Sequence, residues 1–158
     1  MMEQQTKILS GFFERMLLAS LCASAIFMSS CKEEYPFGAS PEIAMIKYGP
    51  DTVRQFVDSI YFSISYNDGD GDLGENDTDA DNLIVTDTRI GVKHTFRIKQ
   101  LVPGGAQVPI KGTLNFSIPN TFLTGSSNQE ELSYSIYVKD RAGHQSNVLT
   151  AGPIVVLQ

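Results

Sequence analysis

The chain has 158 residues, with 12 basic and 18 acidic side chains and a formal net charge of −6. Hydrophobic residues make up 42% of it and charged residues 19%, a balance typical of a globular domain and not of a disordered chain. The excess of acidic over basic side chains argues against a protein that binds nucleic acid electrostatically, because such a protein has to neutralise phosphates with a basic face. One folded domain is expected at this length.

An uncharged apolar segment occupies residues 16–28 (MLLASLCASAIFM) and follows Arg15. It is too short to cross a bilayer core, which needs about 20 residues, but it fits the apolar region of a secretory signal. It leads into Ser29-Ser30-Cys31, and this ending resembles the lipobox of bacterial lipoproteins, in which the cysteine is lipidated before cleavage. We therefore expect residues 1–30 to be a lipoprotein signal and Cys31 to carry lipid. A plain secretory signal, or a buried N-terminal helix with an incidental cysteine, is the alternative.

Lys32-Glu33-Glu34 follow the cysteine directly. This run resembles the surface-export signal of Bacteroidota-type lipoproteins, and the resemblance implies an outer-membrane lipoprotein exposed at the cell surface. The alternative is the start of a solvated tether. Residues 35–50 are rich in proline and glycine and predict a tether passing into a first edge segment. The predicted organisation is a signal at 1–30, a lipidated tether at 31–50 and one domain at 51–158.

The rest of the chain alternates between apolar and polar residues in short runs. Residues 59–66 and 132–138 show the strict period of two that predicts half-buried strands. Weaker strand patterns lie at 53–57, 83–86, 94–101, 113–118, 147–150 and 154–157. About seven short strands separated by turn signals predict an all-β fold, an antiparallel β-sandwich of immunoglobulin or fibronectin-III type. A small barrel is the competing architecture.

An acidic loop follows the first strong strand pattern. It holds seven carboxylates and no basic residue between Asp68 and Asp81. Calcium prefers six to eight oxygen ligands at roughly 2.3–2.6 Å, and glycines allow the backbone to turn several carboxylates toward one point. The alternation of aspartate with glycine therefore predicts a calcium site with Asp68, Asp70, Asp72 and Glu75 among its ligands.

The match to an EF-hand is partial. Asp68, Asp70 and Asp72 suit ligand positions one, three and five, but Leu73 stands where glycine is needed and Asp79 where glutamate is needed. No helix pair is predicted around the loop. The pattern indicates a calcium loop in a β context, and the alternative is a solvated acidic turn that binds no metal and keeps the end of a sheet soluble.

A second loop, Lys139–Gly143, follows the other strong strand pattern. If both strands belong to one sandwich, the two loops lie at the same end, and Asp140 could supply a further oxygen. The side chain of Asp140 could instead accept backbone N–H bonds in a local turn ahead of Gly143. The two roles are compatible.

Three runs of residues together resemble a group of Bacteroidota-type lipoproteins that have a single immunoglobulin-like domain, and the resemblance rests on two short motifs. The runs are Val57-Asp58-Ser59-Ile60, the DGDGDLG run from Asp68, and residues 138–147 (VKDRAGHQSN). The resemblance spans roughly residues 53–158 and implies a fold and a location, but no enzymatic activity. His144 is a departure, because the pattern more often has asparagine there.

The chain lacks the nucleophile elbow, the P-loop and the dinucleotide fingerprint. Carboxylates in an exposed glycine-rich loop should all ionise, whereas a hydrolytic pair needs one acid held neutral. We therefore expect a non-enzymatic, calcium-stabilised binding or structural module of the bacterial envelope, held to the membrane through Cys31. A surface glycan-binding protein, with Tyr61 or Tyr137 as stacking surface, is one alternative. A subunit that binds an envelope protein partner is another.

Overall fold

The structure is a computed structural model, and it describes residues 37–104 and 106–158. These residues form strands, turns and loops, without any helix. Within these two ranges no helix could therefore span a membrane. The predicted signal segment and Cys31 lie outside the described residues.

Eight strands form two facing sheets. The strands are β1 (Glu42–Gly49), β2 (Thr52–Arg54), β3 (Ile60–Asp68), β4 (Leu83–Asp87), β5 (Lys93–Phe96), β6 (Ile110–Ile118), β7 (Gln129–Val138) and β8 (Leu149–Leu157). One sheet has the order β1-β3-β6 and the other the order β2-β8-β7-β4-β5. All neighbours are antiparallel except β2 and β8, which are parallel. The predicted all-β sandwich is confirmed, with eight strands instead of about seven.

The core lies where the two strongest predicted strands face each other. In β3 the inward residues Ile60 and Ile64 are fully buried, as are Leu132 and Ile136 in β7. The residues that alternate with the inward ones, such as Tyr61 in β3 and Ser133 in β7, point to the outer faces, which is the arrangement that the period of two predicts. Burial of these two apolar faces against each other is what holds the sheets together.

The first strand lies inside the segment that the sequence assigns to the tether. β1 pairs with β3 from Glu42, opposite Asn67, to Gly49, opposite Tyr61. The sandwich therefore begins by Glu42 and not at residue 51. A register shift between Met45 and Lys47 breaks the alternation of this strand, so its sequence carries no clear period of two.

Other strand boundaries also differ from the predicted ones, and β6 and β7 each begin three residues earlier than their patterns indicate. β2 ends at Arg54 and β5 at Phe96, earlier than their patterns indicate, while the two short patterns near the C-terminus form one strand, β8. The backbone of Ile98 explains the end of β5, because its N–H and C=O bond to Asn82 and to Glu75 instead of to a neighbouring strand. The chain is thereby directed toward the acidic loop.

β3 and β7 end at the same pole of the sandwich. The acidic loop (residues 69–82) follows β3, and the hairpin loop (residues 139–145) follows β7. We call this end the acidic pole. Gly69 of the acidic loop donates its N–H to the carbonyl of Gly38 (3.0 Å), so the chain also enters the domain at this pole.

Candidate metal site

The acidic loop is anchored in the core by one apolar side chain. Leu73 is fully buried and belongs to the main hydrophobic cluster. Its backbone N–H donates to Oδ2 of Asp68, the last residue of β3, at 2.8 Å. The leucine that weakens the match to an EF-hand is therefore the residue that packs this loop onto the sandwich.

Two glycines of the loop have positive φ angles, +73° at Gly71 and +89° at Gly74. A Cβ atom at Gly71 would collide with the carbonyl oxygen of Val108, and one at Gly74 with that of Lys99. Both positions need glycine for the backbone angle and for the close approach of a second chain segment. The loop is thus clamped against its neighbours, which fixes the direction of the carboxylates between the glycines.

Three carboxylates converge at the acidic pole. Asp68, Asp72 and Asp140 each offer one oxygen, and these oxygens all lie within 4.8 Å of one another. Two ligands of one calcium ion, each roughly 2.3–2.6 Å from it, can lie no more than about 5 Å apart. The spacing therefore suits a single shared ion.

Three buried carboxylate oxygens at the acidic pole accept no hydrogen bond from any residue that the structure describes. They are Oδ1 of Asp68, Oδ1 of Asp70 and Oδ1 of Asp72. The side chain of Asp68 has no solvent-exposed surface. Buried polar atoms are nearly always paired, so three unpaired carboxylate oxygens at one pole indicate a group that the protein itself does not supply.

The other oxygens of the same side chains are held by the backbone. Oδ2 of Asp68 accepts the N–H of Leu73, and Oδ2 of Asp72 accepts the N–H of Ala142 at 3.0 Å. These bonds orient each carboxylate and leave its second oxygen, Oδ1, without a partner among the described residues. The arrangement is that of preoriented ligands.

Burial and mutual repulsion disfavour the charged forms of these acids. Burial raises the pKa of Asp68 to about 6, and the charges of Asp70, Asp72 and Asp140 add to the shift. Burial also raises the pKa of Asp72, together with the charge of Asp140, although Arg141 opposes the shift. A divalent cation at this point would relieve both effects.

Hydrogen bonds join the two loops of the pole directly. The Nη1 of Arg141 donates to the carbonyl of Gly74 at 2.6 Å, and its backbone N–H donates to the carbonyl of Asp72 at 3.4 Å. Together with the bond from Ala142 to Asp72, these contacts hold the hairpin loop against the acidic loop. Asp140 is brought to the cluster as a consequence.

Asp140 also organises its own turn. Its Oδ1 accepts the backbone N–H of His144 at 2.8 Å, and its Oδ2 lies 2.9 Å from Nδ1 of the His144 ring. Each carboxylate oxygen has two lone pairs, so these bonds leave capacity for coordination. The turn role that the sequence indicates for Asp140 is observed, and the residue also lies at the cluster.

The remaining predicted ligands take different places. Asp70 contributes a buried oxygen but lies outside the group of three whose oxygens are mutually close. Glu75 is half-buried, also lies outside that group, and its backbone N–H donates to Ile98. The later acids of the loop, Asp77, Asp79 and Asp81, are exposed.

Three residues that position the site were not singled out from the sequence. In the sequence, Leu73 is only a mismatch to an EF-hand, Arg141 only a member of the Lys139–Gly143 loop, and His144 only a departure from the resembling lipoproteins. An apolar residue inside an otherwise polar loop was the signal that could have identified Leu73. The contact of Arg141 with Gly74 joins residues 67 positions apart, and no local pattern predicts it.

The chemistry of the donor set favours a hard cation. Every candidate ligand is a carboxylate, and residues 37–158 contain no cysteine that a softer metal would select. Calcium accepts an irregular set of oxygens, whereas magnesium demands near-ideal octahedral geometry at shorter distances of roughly 2.0–2.1 Å. Calcium is therefore the ion that fits best.

The chain was compared with protein-family models, with curated proteins and with solved structures, and none of the three comparisons found a match. The chemistry assigned to the acidic pole therefore depends on its geometry alone.

Proposed function

We propose that this protein is a lipid-anchored, non-enzymatic β-sandwich module of a bacterial envelope, and that its acidic pole binds one calcium ion. One observation carries the calcium assignment. Asp68, Asp70 and Asp72 each place one buried, unpaired carboxylate oxygen at the same pole, and Asp140 joins them.

The alternative is a solvated acidic turn, but such a turn does not account for the burial of the Asp68 carboxylate. A turn that serves solubility keeps its carboxylates in water, as Asp77 and Asp79 do. Asp68 is instead removed from solvent and packed beside other acids. Burying like charges together is costly unless an opposite charge compensates them.

Calcium would join the two loops by bridging Asp68 and Asp72 to Asp140. Such a site stabilises the folded state and stiffens one end of the domain, which is a structural role and not a catalytic one. The immunoglobulin-like assignment is supported by the strand order β1-β3-β6 facing β2-β8-β7-β4-β5. Only residues 32–36 separate Cys31 from Phe37, so a lipid on Cys31 would tether the domain by its acidic pole.

Thermal unfolding of the mature chain, with Cys31→Ser to keep it free of lipid, tests the calcium proposal. We expect millimolar calcium to raise Tm above its value in EDTA. At about 100 times Kd the ion adds about 2.7 kcal/mol, which corresponds to a rise of roughly 10 °C in a domain of this size. Magnesium at the same concentration should have a smaller effect.

Asp72→Asn should abolish the calcium response while leaving the EDTA form at least as stable as the parent, because it removes one of the repelling charges. Asp79→Asn, an equal change of charge at an exposed position of the same loop, is the matched control and should keep the full response. If calcium leaves Tm unchanged, or if both variants lose the response equally, the pole is a solvated acidic turn.

A further inference from the structure

A cleft of about 490 Å³ opens on the three-stranded sheet, in the range of volumes that small-molecule sites occupy. Two rows of cross-strand neighbours on the outer face of the sheet line it. The rows are Lys47, Ser63 and Asn115, and Gly49, Tyr61 and Ser117. We infer that this cleft binds an anionic saccharide, one whose rings carry carboxylate groups.

Tyr61 provides an aromatic surface in the cleft. Its side chain is on the outer face of β3 and the residue is 62% exposed. The residues opposite it on the adjacent strands, Gly49 and Ser117, are too small to cover the ring. A bulky hydrophobic group is thus left open to solvent where the apolar C–H face of a sugar ring could stack on it.

Ser63 forms the floor of the cleft beside this ring. It points to the outer face yet is only 6% exposed, and its cross-strand neighbours are Lys47 and Asn115. A hydroxyl, an amide and an ammonium group therefore surround one small recess next to the aromatic surface. Such a combination of one stacking group with several hydrogen-bonding groups suits a ligand rich in hydroxyls.

The charge of the cleft indicates that the ligand is anionic. Among the described residues that line it there is one lysine and no aspartate or glutamate, although the chain carries a net charge of −6. The cleft is thus locally positive on an acidic protein, which favours a carboxylate opposite Lys47. A neutral saccharide would gain no charge-assisted hydrogen bond from the ammonium group of Lys47.

The cleft and the acidic pole are separate sites. Tyr61 and Asp68 lie near opposite ends of β3, and seven residues of extended strand span roughly 23 Å. Saccharide binding should therefore persist in EDTA. This separates a failure of the saccharide proposal from a failure of the calcium proposal.

Isothermal titration calorimetry of the mature chain (Cys31→Ser) in EDTA tests the inference. The probes are a trisaccharide of galacturonic acid, its methyl ester, which keeps the rings but removes the charge, and a hyaluronan tetrasaccharide. We expect saturable binding of at least one acidic probe, and for galacturonate at least tenfold weaker binding of the ester. The absence of binding by both acidic probes at millimolar concentration would overturn the inference.

Variants at exposed positions connect the binding to the cleft. Tyr61→Ala should weaken binding at least tenfold, and Lys47→Gln should remove the preference for acid over ester. Tyr137→Ala is the matched control, because Tyr137 lies on the other sheet with the ammonium of Lys139 6.0 Å from its ring centre and is not among the residues that line this cleft. Equal losses in Tyr61→Ala and Tyr137→Ala, or equal affinity for acid and ester, would contradict the assignment.

Discussion

Asp68 is the residue in which the burial and the electrostatics of the acidic pole can be followed most directly. It is fully buried, it accepts one backbone hydrogen bond, and its second oxygen has no partner among the described residues. Burial raises its pKa to about 6, and the hydrogen bond from Leu73 offsets only part of that shift. Without a cation, Asp68 therefore holds its proton up to about pH 6, well above the pH at which an ordinary aspartate releases it.

This pKa predicts how stability depends on pH in the absence of calcium. Between about pH 4 and pH 6 the folded state keeps a proton on Asp68 that the unfolded chain has released, so the free energy of unfolding falls as pH rises through this range. The contribution is complete below pH 4, is lost above about pH 6, and amounts to at most about 3 kcal/mol. Urea unfolding in EDTA from pH 4 to pH 7 measures it, and Asp68→Asn should flatten the profile.

Calcium should reverse this dependence of stability on pH. The ion competes with the proton for Asp68, so the affinity of the site for calcium rises as pH increases through about 6. A stability profile in EDTA that Asp68→Asn leaves unchanged would show that this carboxylate does not titrate differently in the two states.

At the level of elements, the acidic loop is a rigid structure and not a free coil. Leu73 is buried beneath it, Gly38 accepts a hydrogen bond from Gly69, and the carbonyls of Lys99 and Val108 press against Gly74 and Gly71. A loop held at these points presents its carboxylates in fixed directions. Preorganisation of this kind reduces the entropy lost when a ligand binds.

A pair of glycine substitutions tests whether the Val108 segment holds the acidic loop in place. Gly71 and Gly91 have nearly the same positive φ, +73° and +71°, but only at Gly71 would a Cβ meet other atoms within 4 Å. Alanine at Gly91 should therefore cost about 1 kcal/mol for the backbone conformation alone. Alanine at Gly71 should cost more than about 2 kcal/mol, because it must also displace the Val108 segment.

Urea unfolding of the two glycine variants measures the difference, and calcium titration should show weaker binding for Gly71→Ala only. Equal losses of stability would mean that the Val108 segment yields easily and that the loop is not clamped there.

At the scale of the whole molecule, the entry of the chain and the proposed calcium site share one pole, while the cleft opens near the other end of β3. A protein tethered at the acidic pole would turn the far end of the sandwich away from the membrane. The entry of the chain and the proposed saccharide site thus lie near opposite ends of the domain.

Cell fractionation tests the anchor. Wild-type protein should label with radioactive palmitate and sediment with membranes, whereas Cys31→Ala should do neither, because stable attachment needs the acyl chains that this cysteine would carry. Replacing Lys32, Glu33 and Glu34 together by alanine should keep the label but protect the protein from protease added to intact cells. Palmitate labelling of Cys31→Ala equal to that of the wild type would rule out lipidation at this residue.

Local sequence patterns were enough to predict part of the fold and the chemical type of the candidate metal ligands. The alternation of residues in β3 and β7 predicts both strands, because a strand buried on one face needs apolar residues at every second position. β1 was predicted only as an edge segment somewhere in residues 35–50, without bounds, because its register shift interrupts that alternation. The carboxylates Asp68, Asp70 and Asp72 follow from composition alone, since glycine and aspartate in alternation indicate a loop that turns oxygens inward.

By itself, then, the sequence determined a β-sandwich and an oxygen-rich loop at the end of one strand. Only the tertiary structure decided which oxygens are buried and which residues meet, because those properties depend on contacts between distant segments. Ala142 reaches the carboxylate of Asp72 across 70 positions of the chain, and the cleft combines residues from three strands. Such juxtapositions arise from the packing of whole elements, and no short stretch of sequence encodes them.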